Sequence, residues 1–348
     1  MRCAGSFLVP RPGGRGAAIR LYRRCVASSL TALSDAPVLA QVDRGGFIES
    51  VHRGVAVITT PDGAVEFALG DATAPCFPRS SNKPMQTLAM LRSGLQLAEP
   101  KLVALASASH SGEDFHLEGV RAILAGAGLS EADLQNTPDL PYDEQARNAW
   151  LADGHGPTSI TQNCSGKHAA MLATCAANGW DTTTYRDPQH PLQQAMAETI
   201  SDIAHEQIAA VATDGCGAPV MAISPIGLAR AFGAIAAAQP GTHEATVRDG
   251  IRRHPEYLGG TRRDVTALIN GVDGLIAKDG AEAVYAVGLP DGRGLAVKIA
   301  DGGQRARPVV MAALLRRAGV TGDAVDALGR ADVLGHGEPV GAITAVGF

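Results

Sequence analysis

Cysteine is scarce, at 6 of 348 residues. Cys3 and Cys25 fall near the N-terminus, which leaves Cys76, Cys164, Cys175 and Cys216 scattered through the rest of the chain. That density excludes a disulfide framework and makes a reducing, cytoplasmic setting the expectation. No uninterrupted apolar run approaches the roughly 18 residues of a membrane span, so no membrane partner is expected. Acids are missing from residues 1–34, which hold Arg2, Arg11, Arg15, Arg20, Arg23 and Arg24. The net charge of −5 therefore hides a body at −11, and an acidic body argues against nucleic acid as a partner. The arginine-rich stretch reads as a transit peptide or as an unstructured extension. Residues 1–36 are set aside, and 37–348 are read as a single domain.

What is present is an ordinary globular composition, 45% hydrophobic and 19% charged. Val38 to Val42, Phe47 to Ser50 and Gly54 to Thr60 read as strands, with breaks at Gly45-Gly46 and Arg53-Gly54. Ala64 to Leu69 returns as a hairpin partner after the Pro61-Asp62-Gly63 turn. Helices are expected from Lys83 onward, from His116 to Ala125, Pro191 to Ile208, Leu228 to Ala238, Glu244 to Arg253 and Arg307 to Ala318. Val284 to Gly288 and Leu295 to Ile299 form a second hairpin around Pro290-Asp291-Gly292. The last thirty residues have no clear pattern. Hairpins at both ends with helices between them predict an α+β fold, an antiparallel sheet flanked by helices.

Chemistry is suggested by Ser80-Ser81-Asn82-Lys83. Three-residue spacing at a helix start puts a lysine amine within reach of a serine hydroxyl, which is how a serine nucleophile acquires a base. Such spacing alone is common, and an N-cap serine with a solvated lysine explains it equally well. Two further elements add weight: Ser109-His110-Ser111 after an apolar run, and Lys278-Asp279-Gly280 before a strand hairpin. Serine acyl enzymes use S-x-x-K, S-D-N and K-T-G in this order, and the second and third match here in outline. Lysine serves as a base only when neutral, which burial or a second positive charge can arrange. In isolation Lys278 also reads as a surface lysine beside Asp279. Asn163 to His168 and Asp214 to Gly217 each carry a cysteine on a glycine-containing loop. Two thiolates plus a carboxylate would suit zinc, or these are two buried, inert thiols.

Taken together, Asp43-Arg44-Gly45-Gly46, Arg79-Ser80-x-x-Lys83-Pro84, Ala108-Ser109-His110-Ser111, Asn163-Cys164-Ser165-Gly166-Lys167-His168 and Thr213-Asp214-Gly215-Cys216 resemble the rhizobial-type (class 3, inducible) L-asparaginase family. The resemblance runs from about Leu39 to the C-terminus. It implies a fold similar to the serine β-lactamases and serine-type glutaminases, and hydrolysis of L-asparagine to L-aspartate and ammonia. It also implies Ser–Lys tandems at Ser80–Lys83 and Ser109–Lys278, and zinc on Cys164, Lys167 and Cys216. Arg79, Asp214 and His168 become candidate substrate contacts, and a homodimer is implied. A lysine ligand needs a neutral amine, so Lys167 is expected to have a depressed pKa. The region Gly260 to Asp264 departs from relatives that carry a further cysteine there. The rival readings are a glutaminase, a β-lactamase-like hydrolase, and a non-catalytic zinc- or redox-responsive binding protein.

Overall fold

The computed structural model describes residues 32–348, so most of the expected extension over residues 1–36 lies outside the described residues. Ala36 already belongs to the core, and its carbonyl accepts a hydrogen bond from Arg53. An antiparallel sheet of 8 strands organises the rest. In chain order these are β1 (Val38–Arg44), β2 (Phe47–Thr59), β3 (Val65–Leu69), β6 (Ile276–Gly280), β7 (Val284–Gly288), β8 (Gly294–Ile299), β9 (Asp332–Gly335) and β10 (Glu338–Ala345), while β4 (Ala210–Thr213) and β5 (Pro219–Ala222) form a separate hairpin. The spatial order is β6-β7-β8-β2-β1-β10-β9, with β3 also paired to β2. First and last strands therefore meet, and the expected α+β architecture is what the chain adopts.

Every residue of β6, β7 and β8 is buried. Successive strand residues point to opposite faces, so complete burial requires cover on both sides. The helices Pro225–Ala236 and Arg307–Arg317 both pack on β7 and β8 and supply that cover. At Gly294 the approach is so close that a Cβ would lie 1.7 Å from the carbonyl oxygen of Ala229, which glycine alone permits.

Several expectations shift for local reasons. β2 runs unbroken through Arg53-Gly54, because Gly54 there faces the Lys298 carbonyl of β8 rather than ending a strand. The helix expected to reach Ile208 is Pro191–Ala204, stopped by His205 in the left-handed region with φ 54°. The apolar run before Ser109 forms the helix Pro100–Ala106, and a further helix, Glu144–Ala152, follows. Lys278 does not precede the second hairpin as a loop residue. It lies in β6, the outermost strand on that side of the sheet.

Gly280 at the end of β6 locks this edge to the turn carrying Ser80. A Cβ there would stand 2.7 Å from the Pro78 carbonyl and 2.9 Å from Ser81 Oγ. Gly280→Ala is expected to cost about 1–3 kcal/mol through forced backbone movement. A thermal melt reads this directly, and an unchanged midpoint would contradict so tight an approach.

Candidate active site

Ser80 lies in a single 3₁₀ turn, Arg79–Asn82, which runs straight into the helix Lys83–Arg92 with Pro84 in its first turn. Arg79 has φ 53°, a left-handed conformation that costs a non-glycine residue about 1 kcal/mol or more. Its guanidinium holds it there: Nε and Nη2 both donate to Asp214 Oδ1 at 2.8 Å. Asp214 opens the β4–β5 turn and also accepts from the Gly215 amide. Burial works against the Asp214 carboxylate, but Lys167 and Arg79 outweigh it and hold its pKa below the usual range. Ser80 itself is half-buried, and its hydroxyl makes no hydrogen bond among the described residues.

The spacing predicts a Ser80–Lys83 contact, but the amine turns elsewhere. Buried Lys83 donates to the Ala108 carbonyl at 2.5 Å, Ser109 Oγ at 3.0 Å and Cys164 Sγ at 3.0 Å. It therefore joins three of the expected elements at one point. Backbone bonds from Ser109 to Leu258 and from His110 to Asn163 fix that segment. His110 Nε2 adds a 2.8 Å contact with Ser165 Oγ. Ser109 is buried, so the more accessible of the two hydroxyls belongs to Ser80.

Lys278 does not reach Ser109 either. Its amine, fully buried, donates to the Asp279 carbonyl at 2.7 Å and to Asp279 Oδ1 at 2.6 Å. Burial pushes its pKa down to about 8; Asp279 opposes that fall, and the positive charges of Lys83 and Arg263 add to it. The lowering of a lysine pKa by burial and a second positive charge, expected from the sequence, is thus present at Lys278. Sequence reasoning missed the residues behind it. Arg263 and Arg307 both donate to Asp279 Oδ2, at 2.5 Å and 3.2 Å. No spacing signal joins positions 263, 279 and 307.

The two cysteine loops converge. Lys167 Nζ lies 3.3 Å from Cys216 Sγ, and Cys164 Sγ donates to Asn163 Oδ1 at 3.0 Å. The neighbouring Cys164 is the main reason the Cys216 thiol falls to about 4, against burial and with help from Lys167. Cys216, with burial, pushes Cys164 up to about 12. Burial disfavours the Lys167 ammonium, yet Cys216, Cys164 and Asp214 outweigh burial and raise its pKa, the opposite direction to the depression expected of a ligand amine.

Two soft sulfur donors and an amine beside them form a donor set that fits zinc with three protein ligands. A bound divalent ion would displace protons from these ligands. Among the described residues no cluster of three or more His, Cys, Asp or Glu side chains is placed to hold a metal. The expected set contains only two such residues and a lysine. His168 lies beneath, fully buried, with Nδ1 2.6 Å from Tyr185 Oη and with Nε2 lacking a partner among the described residues. Burial first, then Lys167, keeps its imidazole neutral.

The L-asparaginase II family model matches residues 40–345. No curated protein sequence matches this chain. Among solved structures, a protein titled Mglu in its native form is 14% identical, with 86% of this chain and 72% of that one covered and a TM-score of 0.42. A β-lactamase from Mycobacterium bovis is 16% identical, covering 83% and 98%, with a TM-score of 0.40. A Bacillus subtilis glutaminase is 12% identical, covering 87% and 99%, with a TM-score of 0.37. Likeness at that level is distant and bears no weight here. The family match spans nearly the whole body and carries the assignment by itself. This chain belongs to the L-asparaginase II family and is an amidohydrolase acting on a small molecule.

Proposed function

We propose that the enzyme hydrolyses L-asparagine to L-aspartate and ammonia by double displacement, with Ser80 as nucleophile and Lys83 as base. The observation that carries this reading is Lys83. It is a buried amine one turn from an accessible serine hydroxyl and bonded to a second serine, Ser109. Ser80 Oγ attacks the side-chain amide carbon while its proton passes to the Lys83 amine. Apo hydrogen bonds of this kind are often long and tighten only with substrate bound. The amide oxygen gains the negative charge. Backbone N–H groups at the start of the Ser80 turn have no acceptor within the helix and can stabilise it. Collapse breaks the C–N bond, and the proton travels from Lys83 through Ser109 to the departing ammonia. Water then cleaves the aspartyl ester and returns a proton to Ser80. Arg79 and Asp214, paired beside the nucleophile, would bind the α-carboxylate and α-amino groups, and Lys278 keeps the pocket positive. His168 is enclosed beneath the floor and would act by holding the Lys167 helix rather than by touching substrate.

Ser109 as the nucleophile is the second reading, favoured by its 3.0 Å bond to Lys83. Ammonia release from L-asparagine by the purified protein tests the activity itself. Parallel assays with L-glutamine and a chromogenic cephalosporin separate it from a glutaminase and a β-lactamase.

Zinc would be held by Cys164, Cys216 and Lys167, where it would supply Lewis acidity and positive charge. Metal analysis is expected to find about one zinc per chain, and Cys216→Ser to weaken it by at least about 10-fold, since a thiolate ligand is lost. Metal content indifferent to both Cys164→Ser and Cys216→Ser would contradict this assignment. The cytoplasmic setting is supported by Cys76, Cys164, Cys175 and Cys216, all free thiols. Among the described residues no helix is long and apolar enough to cross a membrane. A homodimer is supported by exposed Phe47, Ile48 and Val51 on β2, Leu334 on β9 and Val340 on β10. Light scattering on the purified protein would test it.

A further inference from the structure

Asp279 is an enclosed carboxylate at the centre of a charged cluster that the reaction as outlined does not use. Neighbouring residues of a strand point to opposite faces, so Lys278 and Asp279 should diverge. They meet because the long lysine chain folds back, bringing its amine to the carbonyl and side chain of the next residue. Oδ1 takes the Lys278 amine at 2.6 Å. Oδ2 takes Arg263 at 2.5 Å and Arg307 at 3.2 Å. Arg307 is itself fixed by Asp264 at 2.7 Å and by Gln304 at 3.0 Å, and it lies over the Tyr285 ring. Arg263 stacks on Tyr142 and donates to the Ser109 carbonyl at 3.3 Å. One carboxylate thus ties the Lys278 amine, through Arg263, to the backbone of the second serine.

We propose that Asp279 is the positioning residue of this site, holding the Lys278 ammonium in place and charged, so that Lys278 serves as a fixed cation rather than a second base. This rests on the reading of Ser80 and Lys83 as nucleophile and base. The groups facing the Lys278 amine are Asp279 on its own strand, Lys83 from the helix Lys83–Arg92, and Arg263. Arg307, Asp264 and Tyr285 stand behind Asp279. Asp279 is the sole anion in contact with the amine among the described residues, so neutralising it leaves Lys278 facing the Arg263 cation with no anion to balance it. Its pKa, already pushed down to about 8 by burial, must then fall further. The sign follows: a cation required for turnover is lost at lower pH, and the basic limb of the rate profile moves down.

The experiment uses ε-¹³C-lysine NMR of the whole enzyme, with Lys278→Arg to assign the resonance, alongside kcat/KM for L-asparagine across pH. Asp279→Asn is expected to lower the Lys278 midpoint by about one pH unit and the basic limb with it. At pH 8 that is roughly a 5-fold loss, against less than about 2-fold at pH 6. Asp279→Glu, which keeps the charge, should leave both near their wild-type positions. The wild-type enzyme supplies a check that needs no variant to fold: its activity must fall through the Lys278 midpoint. Activity that rises through that midpoint, or a midpoint unmoved in Asp279→Asn, overturns the proposal. A Lys278 midpoint that shifts as expected in a protein that hydrolyses no amide upholds the positioning and sinks the asparaginase reading instead.

Discussion

Ser80→Ala is expected to lower kcat for L-asparagine by about 10⁴-fold or more, with binding and stability little changed. A nucleophile removed from a double displacement leaves only the residual catalysis of orientation and charge. The stability part follows from the structure. The Ser80 hydroxyl makes no hydrogen bond among the described residues, so its loss should stay within about 0.5 kcal/mol. Kinetics with a thermal melt as control measure both. Near-normal turnover in Ser80→Ala would move the role to Ser109. Ser109→Ala should lower kcat less, by about 10²-fold, as expected for a residue that relays a proton.

Lys83→Met is the second large effect, about 10³- to 10⁴-fold in kcat for loss of a general base. Methionine keeps the length of the chain, so the packing of a fully enclosed side chain is largely retained. The Ala108 carbonyl loses its lysine donor, which should cost about 1–3 kcal/mol of stability. The two losses have different signatures, because the missing carbonyl bond lowers the melting temperature while the missing base lowers kcat at every temperature. Lys83→Arg should not restore activity, since a guanidinium stays protonated and cannot accept the Ser80 proton. An arginine variant with more than about a tenth of wild-type kcat would argue that Lys83 supplies only charge.

The sheet was largely legible because its hairpins carry strong turn signals. Pro61-Asp62-Gly63 and Pro290-Asp291-Gly292 mark the β2–β3 and β7–β8 turns where they occur. β10 escaped because Pro339 and Gly341 break its alternation, and its partner β1 lies at the other end of the chain. Its strand character comes from that pairing, which no local window contains. The site divides in the same way. The serines, lysines and cysteines could be picked out by type and order, but their connections could not. Spacing of i to i+3 puts Ser80 and Lys83 on one face, yet a four-carbon chain chooses its own direction. Here it runs to Ser109 and Cys164. Asp279 carried no signal of its own because its two arginine partners are remote in sequence. The approach of Lys167 to Cys216 depends on a convergence of loops that composition does not encode.

The claim on which the rest depends is that Ser80 carries the acyl group. Treating the enzyme with a diazoketone analogue of asparagine, then measuring intact mass and mapping the labelled peptide, tests it in one step. The account predicts a single adduct per chain on the peptide containing Ser80, absent in Ser80→Ala and slowed in Lys83→Met. An adduct on the Ser109 peptide, or full turnover with no serine ever labelled, would contradict it.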